Sequence, residues 1–276
     1  MIMTKLFDCH IHSEFSHDST AKLSDICENA KKNGICGITI TDHCDIHKIE
    51  NVSEISHIKE SVKSTKGQFE IKVLCGAEIG DGFNKPELSR AAAKSEDFDF
   101  LLCSCHVYET MHSITEEFKQ GNFQFFKNAD DAVLREFLDK YYDNLLFSAK
   151  NLDYDCLAHI SFPFRYINGL AKRYNFSPKD YMNKIESVLE VAISKQKAIE
   201  INTSGLSSDW GEFMPNRDIL KRYFDMGGRL VTLGSDAHKP ENVGGGIKEA
   251  VQMMKELGFK EFFYYEKRKP VSIGIE

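Results

Sequence analysis

The chain has no stretch approaching the roughly 18 apolar residues of a membrane span. Its opening residues, Met1-Ile2-Met3-Thr4-Lys5-Leu6-Phe7-Asp8, turn polar too soon for a signal peptide. Both absences point to a cytoplasmic protein with no membrane partner. C-x-x-C pairs are missing as well, although eight cysteines stand at 9, 27, 36, 44, 75, 103, 105 and 156. Without paired spacing they read as free thiols in a reducing compartment, most of them small hydrophobes inside apolar runs. Even Cys103-Ser104-Cys105 lacks the second pair that a thiolate zinc site needs, so it reads as core filling. No basic stripe offsets the formal net charge of -7, which argues against a nucleic-acid partner. A small anionic substrate stays possible, because bound cations reverse the local sign in a pocket. No repeat, low-complexity tract or linker divides the 276 residues, so one domain spanning 1-276 is expected.

What is present is a recurring unit: a short apolar run rich in β-branched and aromatic residues, a polar segment, then an amphipathic stretch. Strands are expected at 5–10, 35–41, 71–77, 98–105, 155–158, 198–202 and 230–234. Helices are expected near 23–32, 52–64, 86–94, 130–149, 178–195, 216–226 and 247–257. Ser177-Pro178 looks like an N-cap followed by proline in the first turn, and Gly34 like a helix stop. Alternating strands and helices imply a parallel β/α architecture. A closed or distorted barrel fits better than an open sheet, because no glycine-rich dinucleotide fingerprint opens the first helix. Gly244-Gly245-Gly246 follows no adjacent strand and reads as a loop turn.

Residue types that bind metals fall at the strand ends. Strand one ends in Asp8-Cys9-His10-Ile11-His12, and strand two runs into Thr41-Asp42-His43. Glu78 follows strand three, His106 strand four and His159 strand five. Strand six carries Glu200-Ile201-Asn202, and strand seven ends in Gly234-Ser235-Asp236-Ala237-His238. Parallel barrels place their sites at the carboxyl ends of the strands, so these side chains share one mouth. Alternation puts His10 and His12 on one face, as a chelating pair requires, and Asp236 and His238 have the same spacing. One histidine on a strand is ordinarily a structural residue. Six of the ten histidines at equivalent places in the unit indicate a metal cluster. His17, His47, His57 and His112 sit in polar segments and read as surface residues, though His17 lies in the first loop, near the site. Asp18 reads either as a loop carboxylate or as a further ligand. Glu14 reads as solvated.

The ordered set D-x-H-x-H, T-D-H, Glu78, His106, His159 and G-S-D-A-H resembles the polymerase and histidinol phosphatase (PHP) family over most of the chain. The segments 12–19 and 200–206 resemble its histidinol-phosphatase branch. The resemblance implies a single distorted (β/α)7 barrel holding three divalent metal ions. It implies a first ion on His10, His12, Glu78 and Asp236. Glu78 would bridge to a second ion on His106 and His159, and Asp18, His43 and His238 would hold a third. Many members have His where this chain has Asp18, so Zn, Fe and Mn all remain open.

The chemistry expected of such a set is phosphomonoester hydrolysis. Water bridging two cations loses a proton near neutral pH and becomes the nucleophile, and charge built up on phosphate meets fixed positive charge. Asp236, His43 and Glu78 are the candidate catalytic residues, with Asp236 or a nearby His as proton donor to the leaving group. Arg165, six residues beyond His159, is the candidate phosphate clamp, since a guanidinium matches phosphate oxygens bidentately. Asn202, Ser204 and Tyr108 are further substrate-binding candidates. Trp210 suits either a core or a lid. Arg217 and Arg222 read as structural or solvated. The resemblance makes L-histidinol phosphate the leading substrate. The alternatives are another small phosphate ester or nucleotide, an amidohydrolase, and a non-enzymatic metal-binding module. Amidohydrolase sites often need a strand-four lysine, and strand four, 98–106, has none. Oligomeric state is not legible.

Overall fold

A computed structural model describes residues 5–106 and 125–276. Its main sheet is built from β1 (Leu6–Ile11), β2 (Ile35–Ile40), β4 (Lys72–Gly80), β5 (Phe100–Ser104), β6 (Cys156–Leu157), β7 (Ala198–Asn202) and β8 (Val231–Gly234), hydrogen-bonded in that order. All these pairings are parallel. The strands are apolar runs such as Ile-Cys-Gly-Ile-Thr-Ile and Ala-Ile-Glu-Ile-Asn, nearly all buried. Continuous burial is what a parallel sheet covered by helices demands. Helices Leu23–Lys32, Ser56–Ser64, Pro86–Ala92, Asp131–Asn151, Met182–Ser194, Arg217–Asp225 and Ile247–Leu257 fall in the seven expected places. Ser177 caps its turn as expected, accepting from Lys179 N with Asp180 completing the capping box.

The first and last strands meet, which turns the sheet into a nearly closed barrel. Asp236 N donates to His10 O at 2.8 Å, and His12 N donates to Ala237 O at 2.9 Å. Asp8 clasps this seam. Its buried carboxylate accepts from Ser235 N at 2.9 Å, Gly244 N at 2.8 Å, His10 N at 3.3 Å and the Ser235 hydroxyl. Burial raises the Asp8 carboxyl above its ordinary range, and these donors partly offset that rise. The Gly244-Gly245-Gly246 loop therefore serves the seam, as a turn with positive φ at Gly244 and Gly246.

Two features depart from the sequence reading. β4 runs to Gly80, so Glu78 lies inside a strand rather than after one. A short strand, β3 (His43–Asp45), causes this by pairing with the second half of β4, His43 opposite Glu78. The chain also ends in an antiparallel hairpin of β9 (Glu261–Glu266) and β10 (Lys269–Gly274), which carries no metal-type motif to announce it. Its turn reaches the amino ends of β5 and β6, where Arg268 pairs with Asp155 and Asp153, and Lys267 N donates to Asp99. Tyr264 stacks on Phe7, with ring centroids 4.3 Å apart. The hairpin closes the end of the barrel opposite the candidate site.

Removing the clasp tests this account of the seam. Asp8→Ala leaves several buried donors unsatisfied and is expected to cost about 2–4 kcal/mol in urea unfolding. An unchanged unfolding midpoint would show that Asp8 does not hold the seam.

Candidate metal centre

At the carboxyl ends of the strands, eight side chains gather around Glu78. One face holds His10, His12 and Asp236. His10 Nε2 and His12 Nε2 are 3.0 Å apart, His12 Nε2 is 3.3 Å from Asp236 Oδ1, and Glu78 Oε2 stands 3.5 and 3.6 Å from the two ring nitrogens. A second face holds His106 and His159, whose Nε2 atoms lie 3.2 and 2.9 Å from Glu78 Oε1 and 3.3 Å from each other. Asp18 Oδ2 sits 3.5 Å from His43 Nε2 and 3.2 Å from His238 Nε2, forming a third group. His43 Nδ1 turns back to Glu78 Oε2 at 2.9 Å. The two carboxylate oxygens of Glu78 thus face different groups.

The tautomers can be read from the partners. His10 Nδ1 lies 2.6 Å from Glu200 Oε1, and a carboxylate only accepts, so Nδ1 carries the hydrogen. His12 Nδ1 lies 3.0 Å from Ser16 Oγ, whose own hydrogen goes to Asp42 at 2.9 Å, so this Nδ1 also donates. Both Nε2 atoms then present lone pairs to each other at 3.0 Å. That approach is repulsive unless a second proton on His10 or a metal cation sits between them. The donor set therefore fits metal ions, with imidazole and carboxylate suiting Zn, Fe or Mn.

The electrostatics agree. Burial penalises the Glu78 charge, yet His106, His43 and His10 hold its carboxyl well below the usual range. Asp236 is likewise desolvated and likewise held well below the usual range, chiefly by His10 and His12. Burial disfavours a charged His10, but Glu200 and Asp236 raise its pKa well above normal. His12 drops to about 4, through burial and then the neighbouring His43. Asp18 is lowered against its desolvation by His238 and His43. A field that draws positive charge into a buried pocket is one that also attracts divalent cations.

Backbone strain marks the same place. His159 has φ 29° and Asp236 φ 54°, both in the left-handed region that side chains rarely adopt. Gly234 has to be glycine, since a Cβ there would lie 2.3 Å from Glu200 Oε1 and 2.5 Å from His10 Cβ.

A cavity of about 350 Å³ opens over the cluster, lined by His43, Glu78, His106, Asp236, His238 and Arg165 among others. An adjoining hollow of about 430 Å³ shares Arg165, Asp236 and His238 and adds Ser204. Arg165 Nη1 donates to Ser204 Oγ at 3.2 Å, and Ser204 Oγ is 3.3 Å from Asp236 Oδ2. The expected metal residues and the phosphate clamp therefore come together at one mouth. Asn202 does not line either hollow. It is fully buried beneath Asp236, to which its amide donates at 3.2 Å, an arrangement that positions the carboxylate. Tyr108 and His112 lie outside the described residues. His47 is not on the surface as its polar segment suggested: its side chain is 5% exposed and lines the cavity. Trp210 is half-buried, 6.3 Å from Phe164 between ring centroids. Arg217 and Arg222 pair with Glu256 and Glu186 at the surface, as read.

Sequence reasoning missed the supporting carboxylates. Glu200 orients His10 and also accepts from His159 N at 2.9 Å, joining two faces of the cluster. Its place on β7, two residues before Asn202 and on the same inward face, was the available signal. Asp42 holds the first loop, accepting from Ser13 N at 2.6 Å and from the hydroxyls of Ser13, Ser16 and Ser61.

This architecture defines a class: a nearly closed β/α barrel with a many-histidine, carboxylate-bridged site at the carboxyl ends of its strands. Residues 8–204 match the PHP domain model, and the chain belongs to that family. It is 31% identical to a probable histidinol-phosphatase of Thermotoga maritima over 271 residues, covering 98% of this chain and 100% of the relative. A probable histidinol-phosphatase of Clostridium acetobutylicum is 29% identical, covering 95% and 98%. The histidinol phosphate phosphatase of Lactococcus lactis, solved with Zn, L-histidinol and phosphate, superposes with a TM-score of 0.73. That alignment has 24% identity and covers 97% of this chain and 99% of the other. The last likeness bears out the expected barrel.

Glu200→Gln keeps the shape of the side chain but loses the charge facing His10. Metal affinity is expected to fall about 10- to 100-fold with little change in folding, as followed by chelator competition. Wild-type affinity in this variant would remove Glu200 from the centre.

Proposed function

We propose that this protein is a metal-dependent phosphomonoesterase that hydrolyses L-histidinol phosphate to L-histidinol and phosphate, a step of histidine biosynthesis. The observation that carries the reading is Glu78, whose two oxygens face separate groups of histidines below a cavity that also holds an arginine. The names of the full-length relatives support the substrate. The nine convergent side chains support three divalent ions, with His10, His12, Glu78 and Asp236 holding one, Glu78, His106 and His159 another, and Asp18, His43 and His238 the third.

Bound divalent cations supply Lewis acidity toward phosphate oxygens and make an attacking water acidic. Arg165 binds and orients the phosphoryl group from the opposite wall, with Ser204 fixing its Nη1. Asp236 is held in place by Asn202 and Ser204 at Oδ2, beside His12 at Oδ1, and as a carboxylate it can accept a proton at the reacting face. Phe162 stands edge-on to His106 at 5.4 Å and walls the cavity on its apolar side, limiting water around the ester. The whole chain acts as one domain in this reading, because His10 and Asp236 belong to one cluster although they lie near opposite ends of the sequence.

No helix among the described residues is long and apolar enough to cross a membrane. All eight cysteines are free. Both facts are compatible with a cytoplasmic enzyme, which is where this reading places it.

The test is phosphate release from L-histidinol phosphate by metal-replete protein, beside other phosphate monoesters and a chelated control. A selective rate that disappears with chelation and returns with added metal is expected. Equal slow rates across the panel would keep the phosphoesterase and reject the substrate. Glu78→Ala is expected to abolish turnover and reduce bound metal. Arg165→Ala is expected to raise KM and lower kcat/KM by roughly 10- to 100-fold, the worth of a charge-assisted contact. An unchanged kcat/KM would exclude Arg165 from phosphate binding.

A further inference from the structure

We propose that Asp45, His47 and Asp81 form an additional divalent-cation site on the wall of the cavity, separate from the nine side chains described above. The three lie at neighbouring strand ends. Asp45 closes β3, His47 lies in the single 3-10 turn Ile46–Lys48 that follows, and Asp81 comes directly after β4. Asp45 pairs across the strands with Gly80. A Cβ at residue 80 would lie 2.6 Å from Asp45 Oδ1, so glycine there lets the carboxylate fold over the strand end.

All three side chains are more than nine-tenths buried, at 8%, 5% and 0% exposed. One donor atom from each lies within 4.8 Å of the others. Asp45 Oδ1 makes no hydrogen bond, and neither does either ring nitrogen of His47. His47 Nδ1 is nonetheless 3.1 Å from Asp81 Oδ2. Such an approach without hydrogen-bond geometry suits two ligands of one ion, because donors bound at about 2.0–2.2 Å stand roughly 3–3.5 Å apart around a tetrahedral centre.

Charge favours a cation here. Lys48 occupies Asp45 Oδ2 at 2.6 Å and leaves Oδ1 to the site, and its ammonium is half exposed. The buried carboxylates of Asp45 and Asp81 draw positive charge to this wall. Two carboxylate oxygens and an imidazole nitrogen suit Mn, Zn or Fe. Asp81 Oδ1 also accepts from His106 N at 2.7 Å, so an ion here would brace the backbone beneath the second histidine group. Asp45 Oδ1 lies 3.9 Å from Nδ1 of both His43 and His106, which places the site against the outer side of the cluster.

Anomalous difference maps from crystals grown in excess Mn²⁺ decide the matter, together with the Mn content of purified protein. The expected map has a peak bonded to Asp45 Oδ1, a ring nitrogen of His47 and Asp81 Oδ2. His47→Gln is expected to bind one equivalent of Mn less than wild type. A map in which the nine-residue cluster is filled and this position is bare overturns the proposal, as does a full Mn complement in His47→Gln. A peak here with none at the larger cluster would keep this proposal and sink the metalloenzyme reading above. A map with neither peak sinks both. The wild-type map decides by itself if the variant fails to fold.

Discussion

The rest of the site depends on one buried carboxylate. Glu78 lies in the middle of the barrel mouth, 1% exposed, and desolvation works against its charge. It stays charged because histidines approach it from separate strands: His10 and His12 from β1, His43 from β3, and His106 and His159 after β5 and β6. Removing a single histidine leaves that anion partly satisfied. Removing Glu78 leaves several buried imidazoles with no common counter-charge. The asymmetry makes Glu78 the centre of the cluster, and it follows from geometry before any metal is invoked.

Holding so many polar groups in one place requires a rigid frame, and most of that frame is a second layer of carboxylates. Asp8 fastens the seam between β1 and β8, which carry His10 and Asp236. Glu200 fixes the tautomer of His10 and the backbone of His159. Asp42 gathers Ser13 and Ser16, and through Ser16 the ring of His12. These buried acids cost desolvation energy that is recovered only through complete hydrogen bonding, which is why each accepts two or more. The left-handed backbone at His159 and Asp236 belongs to the same layer. The seam and Glu200 over-determine those positions, so strain persists there.

Much of this was legible in the sequence. Strand ends carrying Asp8-Cys9-His10-Ile11-His12 and Gly234-Ser235-Asp236-Ala237-His238 fix both the barrel order and the ligand types, since strand periodicity and barrel topology leave few other arrangements. The second layer was much harder to read. Glu200 and Asp42 stand among the metal-type residues near the strand ends, and what they do depends on which backbone atoms lie across the barrel. Asn202 poses a related difficulty: sequence gives its strand but not its depth below Asp236. His47 sits among polar neighbours, and only the short β3 pairing turns it inward. The terminal hairpin escaped because strand-type residues such as Phe262 and Tyr265 carry no functional signature.

A protein of net charge -7 that takes a phosphate ester poses an electrostatic problem. Its surface does little to attract an anion, and the ligand carboxylates would repel one. The arrangement resolves this locally. Glu78 and Asp236 are largely buried and committed to the histidines around them. The cationic Arg165 and Lys48 line the open side of the cavity. Without cations in the cluster, the carboxylates are met only by the protons that the histidines take up. Divalent cations bring more positive charge to that floor than those protons do. Substrate binding and metal loading are then the same electrostatic event seen from two sides, which is why metal dependence here concerns recognition as much as chemistry.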